Sequence, residues 1–273
     1  MIITSNSVKI NFEHFNSFDS QKDTVLLLHG FTGSLEDWRD IYTNLDEKFN
    51  YVGIDLIGHG KSDSPSNIEY YKAESLVSQI QNILDQLSID KVIILGYSMG
   101  GRVALNFAVS HPQKIKGLIL ESTSAGIKNE KDRIERIESD EELASYIEEN
   151  GTEKFAERWM DQDIFNTQRR FSDEKLQKIK RRIAQNSKRG LANTLRGFGT
   201  GKMPYFAENL NSIKCPVLLI SGELDTKYCE LNSELEKKFS NAKNAVIKNA
   251  GHNTHLEEKE RFVRAANHLL KQF

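Results

Sequence analysis

The chain is 273 residues long, with a net charge of −2 and a pI near 6.4, room for one large α/β domain or a domain carrying an insertion. Near-neutral charge removes any bulk attraction to nucleic acid or an anionic membrane, and no apolar run reaches the length of a bilayer span. Residues 1–6 lack the basic start and long apolar core of a signal peptide, and Cys215 and Cys229 have no metal-ligand spacing, so the expectation is a soluble cytoplasmic protein with reduced thiols.

In chain order, short apolar runs at 25–28, 51–55, 92–95 and 117–121 read as strands of a parallel sheet buried on both faces. Helical spacing of apolar residues at 75–87 and 99–109 falls between them, which implies right-handed crossovers and a doubly wound sheet. From about 125 to 208 strand signals vanish, charges crowd in, and helical patterns such as 134–147 and 152–159 dominate. The strand pattern returns at 217–221 and 245–248, and an amphipathic helix at 257–270 closes the chain. The expected division is a core of 1–124 and 209–273, with 125–208 as a helical cap inserted before the last two strands. Such a cap lies over the carboxyl edge of the sheet, where open α/β sheets bind ligands.

The strand at 92–95 runs straight into Gly96-Tyr97-Ser98-Met99-Gly100 and then a helix. Gly-x-Ser-x-Gly between strand and helix is the nucleophile elbow, a turn so tight that small residues must flank the serine. It leaves Ser98 at a helix N-terminus, where free N–H groups favour developing negative charge. A serine hydroxyl needs a partner to take its proton. Two later strands end in suitable loops, Gly222-Glu223-Leu224-Asp225 and Asn249-Ala250-Gly251-His252. The order Ser98, Asp225, His252 is that of a Ser-His-Asp triad on this kind of sheet; Glu223 and His255 are the rivals. Two backbone donors are needed for an oxyanion. The Met99 N–H follows the serine, and the Phe31 N–H lies in His29-Gly30-Phe31-Thr32-Gly33 after the first of these strands.

With these segments in this order, the chain resembles the α/β-hydrolase superfamily over nearly its whole length. Within it, the chain is similar to the 2-succinyl-6-hydroxy-2,4-cyclohexadiene-1-carboxylate synthases of menaquinone biosynthesis. The likeness rests on residues 29–34, on Gly96 to Arg102, on Gly251-His252-Asn253-x-His255, and on the cap stretch Gly190-Leu191-Ala192-Asn193-x-Leu195-Arg196-Gly197-x-Gly199-Thr200-Gly201. The resemblance implies a lyase that eliminates pyruvate from a tricarboxylate, with the triad serine as proton-abstracting base. It also implies Arg102, Arg136 and Arg182 as carboxylate-binding arginines and Tyr97 and Trp159 as pocket aromatics. Arg133 competes with Arg136 and Arg181 with Arg182, and Trp159 fits equally well as packing between cap and sheet. The substrate is then a small anionic molecule, with no nucleic-acid partner, no membrane insertion, no cofactor and no metal. The alternative on the same scaffold is a serine hydrolase of carboxylic esters or C–C bonds, since fold and triad alone do not fix the reaction.

Overall fold

The computed structural model describes residues 1–273. Eight strands form one sheet in the order β1-β2-β4-β3-β5-β6-β7-β8. They are β1 (Ile2–Ser5), β2 (Val8–His14), β3 (Thr24–Leu28), β4 (Asn50–Ile54), β5 (Val92–Tyr97), β6 (Ile115–Glu121), β7 (Val217–Gly222) and β8 (Ala242–Ile247). From β4 through β8 every neighbouring pair is parallel, while β1–β2 and β2–β4 are antiparallel. Successive side chains of the central strands alternate between two cores. Leu26, Leu28, Val52, Ile54 and Ile94 face one; Val25, Leu27, Tyr51, Ile93 and Leu95 face the other. Burial on both faces is why these strands read as unbroken apolar runs.

On the first face pack α2 (Ala73–Gln86), α3 (Met99–Ser110) and, through Leu235, α7 (Thr226–Glu236). On the second lie α9 (Lys259–Leu270) and the short α1 (Arg39–Tyr42), while the single-turn α8 (Thr254–Glu257) precedes α9. Between β6 and β7 there is no strand, and residues 130–198 are mostly helical: α4 (Glu130–Met160), a 3-10 stretch (Asp163–Arg170), α5 (Asp173–Ala184) and α6 (Lys188–Phe198). This segment has an apolar cluster of its own, including Ile147, Phe155, Leu191 and Leu195. Helix α6 rests on the loop after β4 at a backbone-to-backbone contact, where a Cβ on Gly190 would strike the Gly58 carbonyl oxygen. Asn193 adds side-chain hydrogen bonds to the carbonyls of Pro65 and Ser66, at 3.1 and 3.3 Å. Residues 190–193 are thus a docking surface between α6 and the loops after β4.

The helices expected at 134–147 and 152–159 are present as the two arms of α4, which break at Gly151 with φ +79° and ψ 172°. Two elements differ from the sequence-based expectation. The β1–β2 hairpin extends the sheet at its antiparallel edge, where no strand was expected. Strand β8 begins three residues before the expected 245, because an edge strand with mostly part-exposed residues carries little apolar signal. No helix is long and apolar enough to cross a membrane.

Candidate active site

The site is built at the carboxyl ends of β3, β5, β7 and β8. Ser98 sits between β5 and α3 with φ +48° and ψ −104°, a backbone conformation that costs energy for any non-glycine residue. The turn closes only because its neighbours lack side chains: a Cβ on Gly96 would lie 2.6 Å from the Gly100 carbonyl, and one on Gly100 would strike the Leu28 carbonyl. The Ser98 N–H is held by the Glu121 carbonyl at 2.8 Å, which fixes the strained residue from β6.

His252 comes from the loop after β8 and is buried, with Nε2 3.2 Å from Ser98 Oγ and Nδ1 2.7 Å from Asp225 Oδ2. A carboxylate only accepts, so the Nδ1–H donates to Asp225 and the Nε2 lone pair faces the serine hydroxyl. Asp225 is itself fixed as the N-cap of α7. The imidazole is flanked by the rings of Tyr97 and Tyr228, at centroid distances of 5.6 and 4.6 Å. Behind it, fully buried Glu121 accepts hydrogen bonds from Thr254 Oγ1 at 2.7 Å, the His255 N–H at 3.0 Å and His255 Nδ1 at 2.6 Å. The Ser122 hydroxyl donates to the His252 carbonyl at 2.7 Å. The rivals therefore do other work: His255 is committed to Glu121, and Glu223 is exposed and caps the Asn249 N–H at 3.0 Å.

Neither the Phe31 N–H nor the Met99 N–H has a hydrogen-bond partner in the protein. The Phe31 loop is positioned by His29, whose Nε2 accepts from the Leu56 N–H at 3.0 Å while Nδ1 donates to the Gly30 carbonyl at 2.7 Å. Burial pushes the His29 pKa down to about 4, so it stays neutral as this bridge. From the helical segment between β6 and β7, Asn186 Nδ2 donates to the Thr32 carbonyl at 2.8 Å, tying the same loop to the end of α5.

Beside Ser98 and His252 opens a chamber of about 430 Å³, lined among others by Arg102, Arg136, Arg158 and Tyr228. Arg102 lies one helical turn after Ser98 and is 9% exposed. Its Nη1 donates to the Phe198 carbonyl at 2.7 Å, its guanidinium sits 5.1 Å from the Phe198 ring centroid, and it has no carboxylate partner. Burial, followed by the charge of Arg136, lowers its pKa to about 10. Arg136 is paired with Asp140, Nε to Oδ1 at 2.9 Å, whereas Arg133 pairs with Glu130 outside the chamber. Trp159 packs edge-on to Phe31 at 5.3 Å and lines the chamber.

Arg182 departs from expectation. It lines a second cavity of about 340 Å³ on the far side of Phe31, Tyr97, Trp159 and Phe165, where it pairs with Asp37. The face of α5 that carries it turns toward the Phe31 loop instead of toward Ser98, and Arg181 lines neither cavity. Two chamber residues escaped the sequence reading. Tyr228 lies three residues after Asp225, one turn along the helix that Asp225 caps, a spacing that could have found it. Arg158 adjoins Trp159 and gave no signal of its own. No three His, Cys, Asp or Glu side chains converge as a metal site.

Comparison with known proteins agrees with this geometry. Residues 23–259 match the model of the alpha/beta hydrolase fold family. A Bacillus subtilis (strain 168) protein provisionally named 2-succinyl-6-hydroxy-2,4-cyclohexadiene-1-carboxylate synthase is 39% identical over 91% of this chain and 90% of its own. The 2-succinyl-6-hydroxy-2,4-cyclohexadiene-1-carboxylate synthase of Enterobacter sp. (strain 638) is 30% identical, covering 85% and 86%. The structure of MenH from S. aureus superposes with a TM-score of 0.90 at 30% identity, covering 96% of this chain and 98% of that one. The chain therefore belongs to the α/β-hydrolase fold family and, within it, to the 2-succinyl-6-hydroxy-2,4-cyclohexadiene-1-carboxylate synthases.

Proposed function

We propose that this protein is a lyase that eliminates pyruvate from 2-succinyl-5-enolpyruvyl-6-hydroxy-3-cyclohexene-1-carboxylate in menaquinone biosynthesis, acting on a soluble anionic metabolite in the cytoplasm. The observation that carries the reading is Arg102, a buried guanidinium without a carboxylate, in the same chamber as Ser98 and His252. An unpaired buried charge is costly and is relieved by an anionic ligand. A pocket for neutral esters has no use for it.

The substrate carries its succinyl carbonyl on C2, so the C2 proton is acidified by that carbonyl. His252 takes the Ser98 proton while Asp225 stabilises the imidazolium, and the Ser98 oxygen then removes the C2 proton as base. The Phe31 and Met99 N–H groups receive the enolate-like oxygen that develops on the carbonyl. The electron pair forms C2=C3, the C3=C4 bond shifts to C4=C5, and the C5–O bond to enolpyruvate breaks. His252 returns its proton to the methylene carbon of enolpyruvate, giving pyruvate and the conjugated diene. Arg102 and Arg136 hold substrate carboxylates, and Tyr97 and Trp159 shape the wall. Residues 125–208 act as the cap that closes this chamber over a core of 1–124 and 209–273.

The test separates a base from an acyl-forming nucleophile. Quenched single turnovers should contain no covalent adduct on Ser98 by intact-mass spectrometry, and deuterium at C2 should slow diene formation. An acyl adduct that accumulates and decays by hydrolysis would replace this reading with the serine-hydrolase alternative.

A further inference from the structure

Arg158 is the one arginine of the chamber to which the proposed reaction assigns no task. Arg102 lies buried at the floor and Arg136 is paired with Asp140, while Arg158 stands exposed at the mouth. No carboxylate lies within ion-pair distance of Arg158, although Glu142 lines the same chamber. Its position is nevertheless built. The guanidinium sits 4.4 Å from the ring centroid of Tyr146, and that ring packs against the apolar cluster of the cap. Tyr146 and Arg158 lie on opposite sides of the bend at Gly151, so the fold of α4 on itself brings cation and ring together. A guanidinium stacked on an aromatic face keeps its in-plane N–H groups free to grip a carboxylate as a fork.

We infer that Arg158 binds the terminal carboxylate of the substrate's succinyl arm, an assignment that rests on the function proposed above. The reacting C2 must lie at Ser98, so each carboxylate is placed by its distance from the ring. The ring carboxylate is attached directly, and the enolpyruvyl carboxylate is separated from the ring by an oxygen and one carbon. The succinyl carboxylate lies beyond a carbonyl and two methylenes, the longest reach of the three. The longest arm extends from the floor toward the mouth, where a charged fork is seated and unpaired. A contact this remote from the reacting atoms binds ground state and transition state alike, so it lowers KM and leaves kcat almost unchanged.

The experiment compares the natural triacid with its monomethyl ester at the succinyl carboxylate, following pyruvate release. Arg158→Ala should raise KM for the triacid about tenfold with little change in kcat, as expected for loss of one charge-assisted contact. Wild-type protein should show a similar rise on the monoester, and Arg158→Ala should lose nothing further there. Arg158→Lys, which keeps the charge without the planar fork, should fall between. Equal losses for Arg158→Ala on both compounds, or none on the triacid, would overturn the assignment while pyruvate release by the wild type left the function intact. If the wild type released no pyruvate from the triacid, the functional reading itself would fail.

Discussion

Replacing Arg102 by alanine is the perturbation whose size follows most directly from the structure. The fall of its pKa from 12.5 to about 10 corresponds to about 3 kcal/mol by which burial, followed by the charge of Arg136, disfavours the charged group in the free protein. At pH 7 it is still protonated, so this cost is present until an anion arrives. A carboxylate forked against it recovers an energy of that order, and losing the contact should lower kcat/KM about 100-fold. Stability should change little. The variant loses the hydrogen bond to the Phe198 carbonyl and the stacking on the Phe198 ring, but it also removes a buried, unpaired charge, and the opposing terms should cancel to within about 1 kcal/mol. Steady-state pyruvate release together with urea unfolding measures both quantities. A loss in kcat/KM below about threefold, or one explained by a collapse in stability, would refute the idea that Arg102 is held ready for a substrate carboxylate.

Further outcomes follow from other contacts. His29 is neutral in the folded protein down to about pH 4 but protonates near 6.5 when unfolded. The unfolded state therefore binds the extra proton in that window, and stability falls as pH drops through it, by up to about 3 kcal/mol; urea midpoints at pH 7, 5.5 and 4.5 should show this, with a flatter profile in His29→Gln. Gly190→Ala drives a methyl group into the Gly58 carbonyl and should destabilise by about 1–3 kcal/mol, seen as a lower urea midpoint; an unchanged midpoint would mean that the cap does not dock there. Glu121→Ala strands the donors of Thr254 and His255 behind the catalytic histidine. It should cost about 3 kcal/mol of stability and lower kcat more than it changes KM, because the His252 loop loses its anchor.

Much of the site was legible because its parts are local. The elbow, the Asp225 loop and the Phe31 loop each end a strand whose apolar run announces it, the His252 loop ends the weaker edge strand β8, and their chain order supplies the rest. The cap motif at 190–193 was visible as a pattern, but its meaning, a backbone contact between Gly190 and Gly58, joins segments far apart in sequence. Arginines in the cap were the hard part. Residues 181 and 182 sit on a helix whose charged surface is nearly continuous, so no periodicity says which face meets Ser98. The observed face puts Arg182 against Asp37, across an aromatic partition from the chamber. Arg158 was invisible for a related reason: its seat on Tyr146 exists only because α4 bends at Gly151. The β1–β2 hairpin was missed because its edge position leaves mixed residues with no long apolar run.

The most direct test of the account is pyruvate release from 2-succinyl-5-enolpyruvyl-6-hydroxy-3-cyclohexene-1-carboxylate, read with the absorbance of the diene product, in wild-type protein and Ser98→Ala. The account predicts equal amounts of pyruvate and diene from the wild type. It predicts almost none from the variant, whose urea midpoint should match or exceed the wild type because alanine leaves the packing around the elbow intact. Pyruvate appearing at the wild-type rate from folded Ser98→Ala would contradict the assignment of Ser98 as the base.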